Sequence, residues 1–313
     1  MINMPIKIHD NLPARKVLLN ELVDVINSSN AEKQDIRPLR FLLLNLMPKK
    51  LQTEVQFARL IGASPLQIEL TLMTTNTYSP KNTKKEYLIE FYKTLDEIKD
   101  NFYDVLIITG APIETINFND VRYWDELNAI IEWSLTNVFR RIGICWGAQA
   151  LLKVLYNIEK HTMADKLFGV FDHNLNQAKK YRLLQGFIDK FPMPVSRYTE
   201  VKEAEIKSAG LEILALSKDS GVGMVRCPKS KDLFILNHLE YDAITLKEEF
   251  LRDKSENISI DIPQNYFPDD DVLRDPINRW RPYAFLLFSN FINEVYQDVP
   301  FEFCKNSLTY LFI

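Results

Sequence analysis

Cys145 lies within Gly143-Ile144-Cys145-Trp146-Gly147-Ala148-Gln149, after an apolar stretch and before a helix-forming one. A cysteine at such a junction, with glycine two positions away on either side, has the form of a nucleophile elbow. The sharp turn holds the reactive atom in strained backbone geometry, and the glycines let strand and helix approach closely. The turn sets the sulfur at the carboxyl ends of the strands, where open α/β sheets bind ligands. There the first N–H groups and the positive end of the new helix favour thiolate over thiol. Cys227 and Cys304 lack this setting and read as structural cysteines.

A thiolate nucleophile needs a base, and the chain offers four histidines. His9 lies in the N-terminal stretch, His161 in a polar turn and His173 in an irregular segment. His238 follows the apolar LFILN and stands two residues before Glu240. In extended chain both side chains then point the same way, so the carboxylate can fix the tautomer and orientation of the imidazole. Thr109-Gly110-Ala111-Pro112 closes another apolar run at the same sheet edge. The backbone N–H groups of Ala111 and Trp146 are the candidates for an oxyanion hole.

These residues need a scaffold, and the chain from Arg40 to Tyr156 supplies one. RFLLLNL, LQIELTLM, YDVLIIT and RRIGIC read as strands. Each is followed by a helical pattern, in LQTEVQFARLIG, KEYLIEFYKTLDEIKD, VRYWDELNAIIEWSLTNV and WGAQALLKVLYN. Four such alternations predict an α/β fold with a parallel sheet and helices on both faces. From about Leu167 the runs shorten: KLFGVF, KYRLLQGF, SRYTEV, EILALS, VGMVRC and LFILN predict an antiparallel or mixed extension. DAITLKEEFLRD and RWRPYAFLLFSNFINEVYQ read as helices, with a proline-bearing surface loop between them. The expected organisation is an N-terminal arm over 1–35, one α/β domain over 36–300 and a tail over 301–313. The aromatic last helix would pack internally or present a homodimer face.

Composition narrows the class. The 313 residues are 46% hydrophobic and 26% charged with a net charge of −4, which suits a globular fold and gives no basic field for nucleic acid. No apolar run has the length of a membrane span, and the N-terminal residues lack the core of a secretion signal. Three widely spaced cysteines form no zinc pattern, so no metal is expected and the reducing cytoplasm is the expected compartment.

The ordered motifs NLMPKK (45–50), TGAP with FNDV (118–121) and YW (123–124), CW-x-AQA (145–150), SRY (196–198), H-x-EYD (238–242), NYFP (265–268) and a Trp-Arg pair before the last helix resemble the homoserine O-acyltransferase family. Its members are often called homoserine O-succinyltransferases. The match runs from Met4 to about Gln297. The resemblance implies a fold related to class I glutamine amidotransferase domains and the first step of methionine synthesis. An acyl group passes from acyl-CoA to a cysteine, then to the hydroxyl of L-homoserine, with no permanently bound cofactor. By motif, Cys145 is the acyl-thioester nucleophile, His238 the base and Glu240 its orienter. Lys166, Ser196 and Arg252 match substrate positions, and Lys50 falls where the family has a lysine near the site.

The resemblance also bears on the donor. Glu114 follows TGAP at a position where succinyl-using relatives carry Gly and acetyl-using relatives carry Glu. An ionised Glu would fill the space for a succinyl carboxylate and repel it, so acetyl-CoA is the expected donor. Two departures stand out: Asn237 and Leu239 occupy positions where the family usually has Gly and Pro. Serine remains an alternative acceptor, since a pocket discriminates one methylene by only about 1–3 kcal/mol. Glutamine amidotransfer and a non-catalytic small-molecule sensor are the rival readings of the same Cys–His–Glu set.

Overall fold

The computed structural model describes residues 6–21, 23, 25–26, 37–77, 83–176 and 180–300. Cys304, the expected tail and Met4 lie outside the described residues. Ile6–Lys7 (β1) and Val25–Ile26 (β2), with helix Ala14–Asn20 (α1) between them, form short parallel pairs at one sheet edge, where β1 also pairs with Ile68–Met73 (β4). The apolar run Leu39–Leu44 (β3) lies between β4 and Tyr103–Ile108 (β6), parallel to both, and Lys50–Gly62 (α2) connects β3 to β4. β6 is buried at every position, as a strand covered on both faces must be. After it come helix Trp124–Asn137 (α5), strand Val138–Ile144 (β7) and helix Trp146–Tyr156 (α6).

The expected long helix over 85–100 is three pieces: helix Lys85–Phe91 (α3), strand Tyr92–Lys93 (β5) on the edge of β4, and helix Leu95–Ile98 (α4). Two local forces break it. Thr94 and Glu97 close a capping box that starts a new helix. Tyr92 turns inward, where its hydroxyl donates to Glu54 Oε1 at 2.5 Å and accepts from the Asn45 amide at 2.9 Å.

The second half extends the sheet as expected. Long strands His161–Leu175 (β8) and Lys190–Glu200 (β9) pair antiparallel. Past the short helix Glu203–Ser208 (α7), Glu212–Ser217 (β10), Gly221–Arg226 (β11) and Leu233–Ile235 (β12) lead back to β7, which β12 joins in parallel. Twelve strands among the described residues make one sheet in the order β2-β1-β4-β3-β6-β7-β12-β11-β10-β8-β9, with β5 beside β4. KYRLLQGF is not a strand: residues 182–184 form a 3₁₀ turn because Leu183 and Leu184 are buried there and successive i→i−3 bonds close it.

Thr245–Ser255 (α8) and Arg281–Asp298 (α9) flank the sheet. The apolar face of α9, with Leu287, Phe288, Phe291 and Ile292, is buried in the chain's own core, so this helix packs internally. The loop before it is not free surface throughout. Gln264 bridges Gly169 in parallel, Tyr266 and Phe267 are buried, and Trp280 Nε1 donates to Tyr241 O at 2.8 Å. Among the described residues no helix is long and apolar enough to cross a membrane.

Candidate active site

Cys145 is the N-cap of α6, with φ 48° and ψ −115°. That backbone conformation is costly for a non-glycine residue and persists only where surrounding structure enforces it. Enforcement is visible on both sides. The Cys145 N–H donates to Ile235 O at 2.7 Å, and its carbonyl accepts from Ala148 and Gln149 at 3.0 and 3.1 Å. The flanking glycines are sterically required: a Cβ on Gly143 would collide with the Ala148 backbone, and one on Gly147 with the carbonyl oxygens of Ile108 and Thr109. The elbow therefore locks β7, β6 and α6 together behind the sulfur.

β12 runs parallel to β7, pairing Ile235 with Ile144, so the residues just beyond it arrive beside Cys145. His238 is buried, and its ring feels the charge of Cys145. Its Nδ1 is 2.7 Å from Glu240 Oε1, and its ring stacks on Tyr241 with centroids 4.1 Å apart. Burial by itself would lower the imidazole pKa. The negative charges of Cys145 and Glu240, with hydrogen bonds to both, outweigh it and hold the pKa well above the ordinary value. The ring is thus held as an imidazolium, braced by the Glu240 carboxylate.

The sulfur opens into a cavity of about 450 Å³, which Ala111, Glu114, Lys166, Ser196 and Arg252 also line. Gly110 faces the pair: a Cβ there would stand 3.4 Å from His238 Cε1 and 3.5 Å from Cys145 Cβ. Trp146 is the first residue of α6, and its backbone N–H has no partner within the helix by position. Lys166 reaches the cavity because four residues, 163–166, loop out of the β8–β9 ladder between Thr162 and Leu167. Its ammonium lies 3.0 Å from Asp253 and 3.8 Å from Glu249, over the ring of Phe168. Arg252 grips Asp253 through Nε and Nη2 at 2.8 and 2.5 Å. Ser196 Oγ donates to Glu249 Oε2 at 2.6 Å, and the Tyr241 hydroxyl donates to Glu249 Oε1 at 2.8 Å.

Burial raises the Glu114 pKa, as does the negative charge of Glu249, while its own backbone N–H, His238 and Lys166 oppose the rise. Lys50 stands apart. It lines a neighbouring cavity of about 470 Å³ that shares Pro48 and Pro112 with the first, and is not among the residues around Cys145. Its ammonium donates to Asn45 O, and burial lowers its pKa to about 8 against the pull of Glu54. Among the described residues no cluster of three or more His, Cys, Asp and Glu is arranged to hold a metal ion.

A family model described as homoserine O-succinyltransferase matches residues 5–301. The chain belongs to that family. A homoserine O-acetyltransferase of Clostridium acetobutylicum is 50% identical over 301 residues, 96% of this chain and 100% of that protein. One of Sinorhizobium fredii is 48% identical over 304 residues, 96% of this chain and 98% of its own. The expected relation to glutamine amidotransferases holds at the level of fold. A glutamine amidotransferase of Thermotoga maritima superposes with a TM-score of 0.54 at 15% identity, covering 83% of this chain and 99% of that one. Another from Methylobacillus flagellatus gives 0.50 at 11% identity, over 83% and 95%.

Sequence reasoning missed Tyr241, Glu249, Asp253 and Glu256, all of which line the cavity of this family member. One signal was available: Glu249, Arg252, Asp253 and Glu256 follow the i, i+3, i+4, i+7 spacing of one helix face. With Arg252 chosen, the same face implicates the other three.

Proposed function

We propose that the protein transfers an acetyl group from acetyl-CoA to the hydroxyl of L-homoserine through a Cys145 thioester, in a ping-pong reaction that serves methionine biosynthesis in the reducing cytoplasm. The observation that carries the reading is the strained Cys145 elbow beside His238 and Glu240, opening into a cavity with charges of both signs. The curated relatives' names support the reaction class.

In the first half-reaction the Cys145 thiolate attacks the thioester carbonyl, and the N–H groups of Trp146 and Ala111 receive the oxyanion. The carbon–sulfur bond to CoA breaks, and the imidazolium of His238 gives its proton to the departing sulfur. In the second, neutral His238 takes the hydroxyl proton of homoserine as the oxygen attacks acetyl-Cys145. The Cys145–acyl bond breaks, which restores thiolate and imidazolium. Glu240 keeps the ring in register through both steps. Arg252 suits the acceptor's carboxylate because its planar fork can hold both oxygens. Ser196 and Lys166 set the pocket wall near Glu249.

The donor follows from the charge of the cavity. Glu114, Glu249, Asp253 and Glu256 line it against Lys166 and Arg252, and Glu114 and Glu249 already oppose each other. An acidic excess welcomes the ammonium of an amino acid and disfavours the extra carboxylate of succinyl. Intact-protein mass after brief exposure to acetyl-CoA without acceptor tests the reading. An acetyl adduct on the wild type, absent from Cys145→Ala, supports it. A succinyl adduct formed in preference overturns the donor, and a glutamyl adduct or ammonia release from glutamine overturns the reaction. Acceptor-dependent CoA release then separates homoserine from serine.

A further inference from the structure

The cavity that holds Cys145 has room, in about 450 Å³, for an acyl group and an amino acid, not for a coenzyme with its nucleotide besides. Its wall sets Glu114, Glu249, Asp253 and Glu256 against Lys166 and Arg252, and phosphates placed there would be repelled. The neighbouring cavity of about 470 Å³ has the opposite balance, with Lys50 and Arg122 against Asp120. Leu46, Ile113, Ile116 and Val121 give it apolar surface, and Thr74 and Thr75 give it hydroxyls. At Lys50 this second cavity meets a third, of about 420 Å³, which Lys49 and Lys84 also line. Among the described residues no carboxylate lines the third cavity, although Glu248 lies 3.0 Å from Lys49.

The first two cavities meet at Pro48 and Pro112, and that border stands beside the sulfur. A Cβ on Gly110 would be 3.5 Å from Cys145 Cβ and 3.7 Å from Met47 Sδ. Pro48 follows Met47 by one position, and Pro112 follows Gly110 by two. Residues 113–116 form the shared wall: Ile113 and Ile116 line the second cavity, Glu114 and Thr115 the first. Lys160 fastens this wall by donating to Glu114 O and to Ile116 O, and the Ile116 N–H donates to Ile113 O at 3.0 Å.

We propose that the second cavity is the binding site for the coenzyme A part of the donor. The pantetheine arm lies along Ile113, Ile116 and Val121, and its thioester end passes Pro48 and Pro112 to reach Cys145. The phosphates lie against Arg122 and the lysines where the second and third cavities meet. The chemistry of the walls fits the parts. Apolar side chains suit the methyl-bearing arm, the threonine hydroxyls suit its amides, and Lys and Arg take phosphate. Donor and acceptor then approach the sulfur from different cavities, so CoA departs without crossing the space the acceptor needs. The inference rests on the acyl-CoA reaction proposed above.

The experiment compares wild type, Ile116→Trp and Arg122→Glu by calorimetric titration with CoA itself. It also compares kcat/KM for acetyl-CoA, S-acetylpantetheine and the short thioester S-acetyl-N-acetylcysteamine, which carry successively less of the coenzyme. Ile116→Trp fills the cavity. It should weaken CoA binding by roughly tenfold or more, and lower kcat/KM for the two longer donors by that factor relative to the short one. Arg122→Glu should weaken CoA by roughly tenfold and lower the rate with acetyl-CoA alone, an effect that shrinks at high salt. Unchanged CoA binding in Ile116→Trp with wild-type circular dichroism, or equal losses for all three donors, overturns the site. Unchanged binding in Arg122→Glu overturns the placement of the phosphates. A wild type that binds CoA in this cavity yet forms no acyl adduct at Cys145 overturns the reaction and leaves the site standing. If Ile116→Trp does not fold, Ile113→Trp is read in its place, and if neither folds the exposed Arg122 decides.

Discussion

The side-chain amide of Asn237 donates to Nε2 of His173 across 2.9 Å, tying the residue before the candidate base to a second, fully buried imidazole. His173 Nδ1 is 2.9 Å from Phe171 O and so carries the proton, which leaves Nε2 to accept from Asn237 and from the Ser220 hydroxyl at 3.0 Å. The ring is therefore neutral. Asn237, where the family usually has glycine, is accommodated by this pairing, and Leu239 is buried in the core.

That neutral ring makes stability depend on pH. Burial lowers the His173 pKa from 6.5 to about 4. The unfolded chain takes up the proton below about pH 6.5 and the folded chain only near pH 4. Stability is thus complete above the unfolded pKa and falls as pH drops toward the folded one. The loss reaches about 3 kcal/mol across that window. Urea unfolding of wild type and His173→Gln at pH 7, 5.5 and 4.5 checks this. The variant is less stable at pH 7 and shows a shallower acid slope, and parallel slopes would refute the assignment.

Removing either half of the proposed catalytic pair has distinct signatures. Cys145→Ala abolishes both adduct and turnover, while His238→Asn lowers kcat by about 10²–10⁴-fold and keeps the fold. Steady-state kinetics with circular dichroism decide it, and wild-type turnover by Cys145→Ala would end the thioester mechanism.

Glu114→Gly enlarges the acyl pocket and deletes one of two opposing carboxylates. The kcat/KM ratio of succinyl-CoA to acetyl-CoA should rise by roughly tenfold or more. A ratio that stays put removes Glu114 from donor selection.

Gly147→Ala tests the mechanical demand of the elbow. The new Cβ would press on the carbonyl oxygens of Ile108 and Thr109 at the end of β6. Overpacking of this kind costs about 1–3 kcal/mol, and displacement of Gly110 beside Cys145 accompanies it. Thermal unfolding and kcat fall together, whereas loss of neither would contradict the close approach.

The proposed catalytic trio was legible because each member has a local signature: glycines around Cys145, and His238 and Glu240 two apart at a strand end. The alternating parallel half was legible for the same reason, since its strands are continuous apolar runs. What was not legible depends on distant contacts. Tyr92 leaves the helical pattern of 85–100 to meet Glu54 and Asn45, and nothing in its neighbours announces that. Lys50 reads as a site lysine until the fold places it on a second cavity that meets the first at Pro48 and Pro112.

The sheet changes character at β12, where the parallel half meets the antiparallel one. Cys145 ends the strand on one side of that line, and Lys166 and Ser196 stand on the hairpin beyond it. Reactivity and recognition are thus held by different stretches of chain that share only a border. Under the proposed reaction, exchange of the hairpin and α8 between members of this fold would redirect the acyl group to another acceptor while the Cys145 elbow stayed in place.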